Sequence, residues 1–443
     1  MEAVGRVSEA DIINDDYMDF VIMISSSNIL VSLTNDCSAN FTLDSIISPE
    51  ANIPYYAHGI DLNGDNRLDI LSSSKVDDIV FWYQNEGGQI FSNQKVIIDL
   101  EEIVYTLPKD IDSDNDIDLL TVKGGKDGQI AWYENEGSGN FPSSHFITDS
   151  TAYSSYPHFT DIDNDGLEEL FVVYKNQISW FKNDQLGNFT FQDTLPMIDE
   201  RYLYLDRVLS GEFNNDDLND IIVGGAYDDL YLYYNKGENK FSDPIRLPVR
   251  WIGWWRSTVI TDVDEDGDED ILYAYYWEPS HVGTLAWIEN QDGEFTEEQE
   301  IDVFLGQPSI YLTDVDRDAD QDILLAGYAG DNDNYESGRL VWYENKGNGL
   351  YLEPKIIIDQ SNNLHRVYFS QEKDLTNDGF EDILFTSSYG DQIAWMENLY
   401  ARPAISGFSF YDENGNGIFD EGEEIIPNVE VQLEPKAISS YTN

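Results

Sequence analysis

An all-β chain made of one four-stranded unit repeated eight times is what this sequence predicts, and three observations predict it. An acidic pattern, D-x-D-x-D-G-x-x-D or a variant, recurs with copies beginning at Asp11, Asp61, Asp110, Asp161, Glu212, Asp262, Asp314 and Asp374. The intervals between copies are 50, 49, 51, 51, 50, 52 and 60 residues, so one supersecondary unit is repeated. The runs between copies are rich in Ile, Val, Tyr and Trp and bounded by Gly, Asn and Asp, and none shows a long apolar period of 3.6 residues. Four short strands per repeat of this length correspond to the blades of a β-propeller, with eight blades expected and seven as the alternative.

Unit two illustrates the elements in order. One strand precedes the acidic loop, a second runs from Leu68 to Ser72, an aromatic third from Ile79 to Gln84, and a fourth, after a Gly-rich turn, from Phe91 to Ile98. The aromatic strand ends in asparagine in every unit but the first: Phe81-Trp82-Tyr83-Gln84-Asn85, Ala131-Trp132-Tyr133-Glu134-Asn135, Ser179-Trp180-Phe181-Lys182-Asn183, Leu232-Tyr233-Tyr234-Asn235, Ala286-Trp287-Ile288-Glu289-Asn290, Val341-Trp342-Tyr343-Glu344-Asn345 and Ala394-Trp395-Met396-Glu397-Asn398. Six tryptophans share one place in the repeat (Trp82, Trp132, Trp180, Trp287, Trp342, Trp395), which assigns them to the core between blades. Unit eight stops after its third strand, and residues 1–10 are used as the first strand of unit one, so the closing strand is expected upstream of Met1.

Acidic side chains at positions 1, 3, 5 and 9 of a turn are what a hard, oxygen-seeking cation such as calcium requires. The candidate ligands are Asp61, Asn63, Asp65 and Asp69 in unit two, and Asp110, Asp112, Asp114 and Asp118 in unit three. Unit four offers Asp161, Asp163, Asp165 and Glu169, and unit five Glu212, Asn214, Asp216 and Asp220. Unit six offers Asp262, Asp264, Asp266 and Asp270, and unit seven Asp314, Asp316, Asp318 and Asp322. The end units are poorer: unit one has Asp11, Asp15 and Asp19 with Ile13 at the third position, and unit eight has Asp374, Asp378 and Asp382 with Thr376 there. Units two, three, six and seven are therefore expected to bind an ion first, with unit four next. An EF-hand needs glutamate at position 12, where these loops carry Ile22, Ser72, Thr121, Val172, Val223, Tyr273, Leu325 and Phe385, so that reading is excluded. Repulsion among the carboxylates would open each turn, and a divalent cation would convert it into cross-linking.

The acidic pattern combined with W-Y-E-N-x-x-G resembles the FG-GAP/VCBS-type repeats of bacterial extracellular proteins, related to the calcium-bearing blades of integrin alpha chains. The resemblance covers roughly residues 1–400. It implies a calcium-stabilised propeller in an extracellular protein.

Residues 401–443 change character. The strand Ile405 to Tyr411 leads into an acidic loop with oxygen ligands at Asp412, Asn414, Asn416, Asp420 and Glu423, a calcium loop by spacing, followed by Val429 to Leu433. This segment resembles the start of the Ig-like B-type domains of bacterial serine-aspartate-repeat adhesins, and two or three strands cannot bury a sandwich core.

Charge narrows the function. Lys plus Arg total 24 against 86 Asp plus Glu, a formal charge of −62 that eight doubly charged ions would reduce only to −46. Such a surface repels nucleic acid and anionic membranes. The lone Cys37 excludes an intrachain disulfide framework, no apolar span reaches membrane-crossing length, and Met1 to Gly5 is no secretory signal. The chain is thus expected to be a monomeric piece of a longer secreted or surface-anchored protein.

Four tryptophans stand outside the repeat position: Trp251, Trp254 and Trp255 in the connector into unit six, and Trp277 in the loop between its second and third strands. The longest such inter-strand loops are Tyr275 to Gly283 and Tyr328 to Gly338, and Arg246, Arg250 and Arg256 bracket the tryptophans. Aromatic faces beside planar cationic donors suit a sugar bearing a carboxylate or sulfate. Trp251, Trp254, Trp255, Trp277, Arg250 and Arg256 are therefore the candidate ligand site, for polysaccharide or a surface protein; packing between blades or against a neighbouring domain is the plain alternative. No nucleophile elbow, phosphate loop, H-x-x-x-H or C-x-x-C appears, and His58, His145, His158, His281 and His365 are scattered. A non-catalytic recognition or adhesion module is the expectation. The alternatives are a polysaccharide lyase or sugar dehydratase, with His281 and Tyr276 as first candidates, and a structural spacer.

Overall fold

The computed structural model describes residues 7–10, 12, 19–24, 29–35, 41–48, 54–74, 76–87, 90–125, 128–149, 157–174, 177–195, 205–225, 230–249, 254–277, 282–305, 307–316, 318–329, 337–358, 367–373, 382–387, 392–396, 409–410, 425–426, 430–433 and 438–441. It divides into two compact units, Met1–Asn398 and Leu399–Asn443. No helix occurs among the described residues, and none is long and apolar enough to cross a membrane.

Each acidic repeat becomes one antiparallel sheet whose strands pair in chain order. Unit two is Pro54–Ile60, Asp69–Ser74, Ile79–Tyr83 and Lys95–Asp99. Its fourth strand begins later than expected because Asn85 bridges to Phe91 and Ser92 donates to Gln84 O at 2.9 Å, which spends that segment on the turn. Unit one, despite its missing aromatic signature, forms the same sheet from Val7–Ala10, Asp19–Ile24, Ile29–Asn35 and Phe41–Ser48. Unit eight shows three strands among the described residues, Val367–Lys373, Asp382–Ser387 and Gln392–Met396. All-β architecture with four-stranded blades is thus as the sequence predicts.

The hydrophobic cores lie between sheets. Successive residues of a strand point to opposite faces, and the second strand of units two to seven is buried on both. In unit two, Ile70 packs with Ile12 and Val21 of unit one, while Leu71 packs with Ile103 and Leu119 of unit three. The same arrangement joins units three and four through Val122, Trp132, Leu170 and Val172, and units six and seven through Leu272, Trp287, Ile323 and Val341. Trp82, Trp132, Trp180, Trp287 and Trp342 are all buried, as the repeat position requires; the side chain of Trp395 lies outside the described residues. Trp132 also donates its Nε1–H to Gly187 O of the next blade's turn at 3.0 Å.

The second unit contains two short pairings, Ser409–Phe410 with Ile425–Ile426 and Glu430–Leu433 with Ile438–Tyr441. These do not define the expected Ig-like module, and the loop of Asp412, Asn414, Asn416, Asp420 and Glu423 lies outside the described residues.

Candidate metal loops and ligand surface

The acidic loops connect the first and second strands, and their local chemistry explains their shape. In unit two, Asp61 Oδ1 accepts from Gly64 N at 2.8 Å and Asp61 Oδ2 from Asn66 N at 2.8 Å. Position 1 likewise accepts from position 6 in units three, four, six and seven: Asn115 N on Asp110, Gly166 N on Asp161, Gly267 N on Asp262 and Ala319 N on Asp314. Position 5 accepts from position 7, as in Asp65 with Arg67 N, Asp114 with Asp116 N and Asp266 with Asp268 N. Such side-chain-to-backbone bonds are the turn chemistry of Asp and Asn. They coil the chain so that carboxylates converge on the inside of the turn.

Position 9 opens the second strand and is buried. Asp118 Oδ2 accepts from Ile111 N at 3.0 Å and its Oδ1 from Asn135 N at 2.8 Å; Asp270 does the same with Val263 N at 2.8 Å and Asn290 N at 2.7 Å. Even with these donors, burial pushes Asp118 and Asp270 up to about 7. In units three to seven an oxygen of position 3 is left unsatisfied: Asp112 Oδ1, Asp163 Oδ1, Asn214 Oδ1, Asp264 Oδ1 and Asp316 Oδ1 are buried without a hydrogen-bond partner. Burial raises the pKa of Asp112, Asp264 and Asp316, and the negative charges of Asp114, Asp266 and Asp318 add to the shift.

These residues fit a hard divalent cation. One oxygen from each of Asp110, Asp112 and Asp118 lies within 4.8 Å of the others, and the same holds for Asp161, Asp163 and Glu169, for Asp262, Asp264 and Asp270, and for Asp314, Asp316 and Asp322. An ion at these carboxylates would satisfy the orphaned position-3 oxygens and offset the burial of charge. In units two and four a basic side chain also reaches the loop: the Arg67 guanidinium is bonded to Asp65, and the Lys182 ammonium to Asp163 and, at 3.0 Å, to Asp165. The counts of acids in the sequence do not reveal these contacts. Of the end units, only Asp19 is described in full, accepting from Ile12 N at 2.8 Å. Asp11, Asp15, Asp374 and Asp378 lie outside the described residues, and Asp382 is placed by its backbone as the first residue of a strand.

A functional residue that the sequence reading passed over is the asparagine closing the aromatic strand. Asn85 Nδ2 donates to Ile12 O at 2.8 Å, Asn135 to Leu62 O at 3.0 Å, Asn183 to Ile111 O at 3.2 Å, Asn235 to Ile162 O at 2.6 Å and Asn290 to Phe213 O at 3.0 Å. Each acceptor is position 2 of the preceding unit's acidic loop. One asparagine thus ties its own loop, through its backbone N–H, to its neighbour's loop, through its side chain. Its recurrence in seven units was the available signal.

The aromatic cluster is placed differently from the expectation. Trp254, Trp255 and Arg256 belong to the first strand of unit six, Trp254–Thr261, and Trp277 is the last residue of the second, Asp270–Trp277. Trp254 stands opposite Tyr276 and Trp255 opposite Tyr275, and Trp277 opposite Val282 of the third strand. The connector and loop assignments were wrong because unit six carries its pairing further: Tyr275, Tyr276 and Trp277 continue a ladder that units two to five end sooner. Arg250 and Trp251 lie outside the described residues, as does His281. His158 serves structure: its ring nitrogen is 2.9 Å from Ser210 Oγ and burial lowers its pKa.

A model of the FG-GAP-like repeat matches residues 110–172 and 212–273. These repeats support a β-propeller-type fold. Among solved structures, Saccharomyces cerevisiae Sqt1 aligns with a TM-score of 0.56 at 11% identity, covering 89% of this chain and 95% of that one. An Agrocybe aegerita lectin recognising non-reducing terminal N-acetylglucosamine gives 0.48 at 14% identity over 80% of this chain and 94% of its own. The V. cholerae biofilm matrix protein Bap1 gives 0.43 at 9% identity over 86% and 84%. The Sqt1 alignment supports the propeller fold alone. No protein of curated description matches.

Proposed function

We propose that this propeller is a calcium-stabilised extracellular recognition or adhesion module that binds polysaccharide or a surface protein within a larger bacterial protein. The observation that carries the recognition reading is a difference among blades. Every second strand begins at loop position 9, and in units two to five it runs six residues, whereas Asp270–Trp277 and Asp322–Ala329 run eight. The added residues therefore fall at the end away from the acidic loops, in two adjacent blades, and in unit six they are Tyr276 and Trp277. A spacer of equivalent blades has no need of this local extension. Metal at one end would rigidify the scaffold while the other end presents the binding surface.

The test is binding of the purified chain to neutral and acidic polysaccharides in millimolar calcium, beside Trp277→Ala, a Trp254→Ala/Trp255→Ala double variant and an EDTA control. The expected result is retention of an acidic polysaccharide that the variants lose while their calcium-dependent melting temperature is kept. No binding by a chain that still melts in a calcium-dependent manner would leave the spacer. Appearance of unsaturated oligosaccharides in the mixtures would instead favour a lyase, with His281 and Tyr276 the first residues to replace.

A further inference from the structure

The residue just before the stitching asparagine changes from blade to blade: Gln84, Glu134, Lys182, Tyr234, Glu289 and Glu344 in units two to seven. It ends the aromatic strand beside the acidic loop. In unit six, oxygens of Asp264, Asp266 and Glu289 lie within 4.8 Å of one another, so this glutamate joins the loop's carboxylates. The fourth strand holds the glutamate in place: Gln299 Nε2 donates to Glu289 Oε2 at 3.0 Å, and His145 Nε2 stands 2.8 Å from Glu134 Oε2 in unit three. In unit four the equivalent residue is Lys182, whose ammonium contacts both Asp163 and Asp165. Yet unit four keeps the converging oxygens of Asp161, Asp163 and Glu169, and Glu169 Oε1 is buried without a partner. An ammonium and a divalent ion cannot both occupy one small ring of carboxylates, because each would repel the other at contact distance.

We propose that the side chain before the asparagine sets metal occupancy blade by blade: Glu134 and Glu289 add a carboxylate to the ion's ligands in units three and six, whereas Lys182 is a built-in cation that competes with the ion in unit four. This rests on the calcium reading above. Arg67 performs the same service in unit two from loop position 7, bonded to Asp65 and, through Nε, to Asn85 O at 2.9 Å. Unit seven is intermediate, since Glu344 is shared with Lys355 and, at 2.5 Å, with Lys346, which also stands 3.6 Å from Asp318. Blades two and four then keep their shape when calcium falls, and units three and six respond to it.

Reciprocal variants test this. Calcium stoichiometry and affinity are measured by calorimetry on the full chain, together with melting temperature in EDTA, for the native sequence, Lys182→Gln and Glu289→Lys. Lys182→Gln is expected to gain one ion, or to tighten its weakest class at least tenfold, and to melt lower in EDTA. Glu289→Lys is expected to lose one ion and to melt higher in EDTA than the native chain. An unchanged stoichiometry and affinity in both variants, or weaker binding in Lys182→Gln, overturns the proposal. A native chain that binds calcium with both variants unchanged overturns this proposal and keeps the calcium reading; a native chain that binds no calcium overturns that reading and, with it, the role of Glu134 and Glu289. Because Glu289→Lys removes rather than creates a site, misfolding of one variant leaves the other decisive.

Discussion

At the scale of single residues, the blade-closing asparagine joins two acidic loops through one side chain. Asn235 donates to Ile162 O at 2.6 Å and Asn219 O at 3.2 Å, and its Oδ1 accepts from Gly237 N at 3.0 Å, all in a buried setting. Asn235→Ala strands these groups away from water, at a cost of about 2 kcal/mol in a denaturant titration. Asn235→Asp removes the donor and adds a charge beside Asp220, so it is expected to cost more. Equal stability of both variants with the native chain would refute the stitch. The sequence showed the recurring asparagine plainly, but one of its side-chain acceptors lies in another repeat, 73 residues away for Asn85, Asn135 and Asn235.

At the scale of the element, the loop and the turn treat glycine differently. Position 6 of the acidic loop is left-handed in Asn66, Asn115, Gly166, Asp217, Gly267 and Ala319 alike, so the glycine of the motif is one of several residues that tolerate this conformation. Replacing Gly166, whose Cβ would meet nothing within 4 Å, costs only the backbone strain, about 1–2 kcal/mol. Gly187 in the turn after the aromatic strand has φ +70 and its Cβ would lie 2.2 Å from Trp132 Cζ2 of the preceding blade. Gly187→Ala must therefore displace a buried indole as well, and should cost about 1–3 kcal/mol more than Gly166→Ala. Thermal melts followed by tryptophan fluorescence separate the two; equal losses with unaltered emission would mean the turn is free to shift. The four strands of units two to seven were legible because their alternation and turn residues are local. The long strands of unit six were not, since aromatic Trp254 to Arg256 satisfy a loop and a strand equally until pairing with Tyr275 and Tyr276 is seen.

At the scale of the whole molecule, buried acid is spread over many blades. Without metal, burial pushes Asp69, Asp118, Glu169, Asp220 and Asp270 up to about 7, each above its ordinary carboxylate value. The folded chain then binds more protons than the unfolded chain between the two values, so its stability falls as pH rises from about 4 through about 7. The general repulsion of a chain with formal charge −62 acts in the same direction. Melting temperatures in EDTA should decline across this range, and calcium should flatten the decline by holding the carboxylates ionised. A calcium-free chain whose melting temperature rises toward neutral pH would contradict the buried-acid account.

The repeat number, the four-stranded blade, the acidic turns and the buried tryptophans all follow from residues close together in the chain, because strand alternation and turn hydrogen bonding act over a few positions. What balances each loop's charge is decided by the tertiary fold, within a blade and between blades. Lys182 reaches Asp163 across 19 residues, and Asn290 reaches Phe213 across 77. Asn290 meets Phe213 only when neighbouring sheets pack face to face, whereas Lys182 meets Asp163 when the third strand of its own blade returns beside the loop, and the choice between an internal ammonium and an external ion is made there.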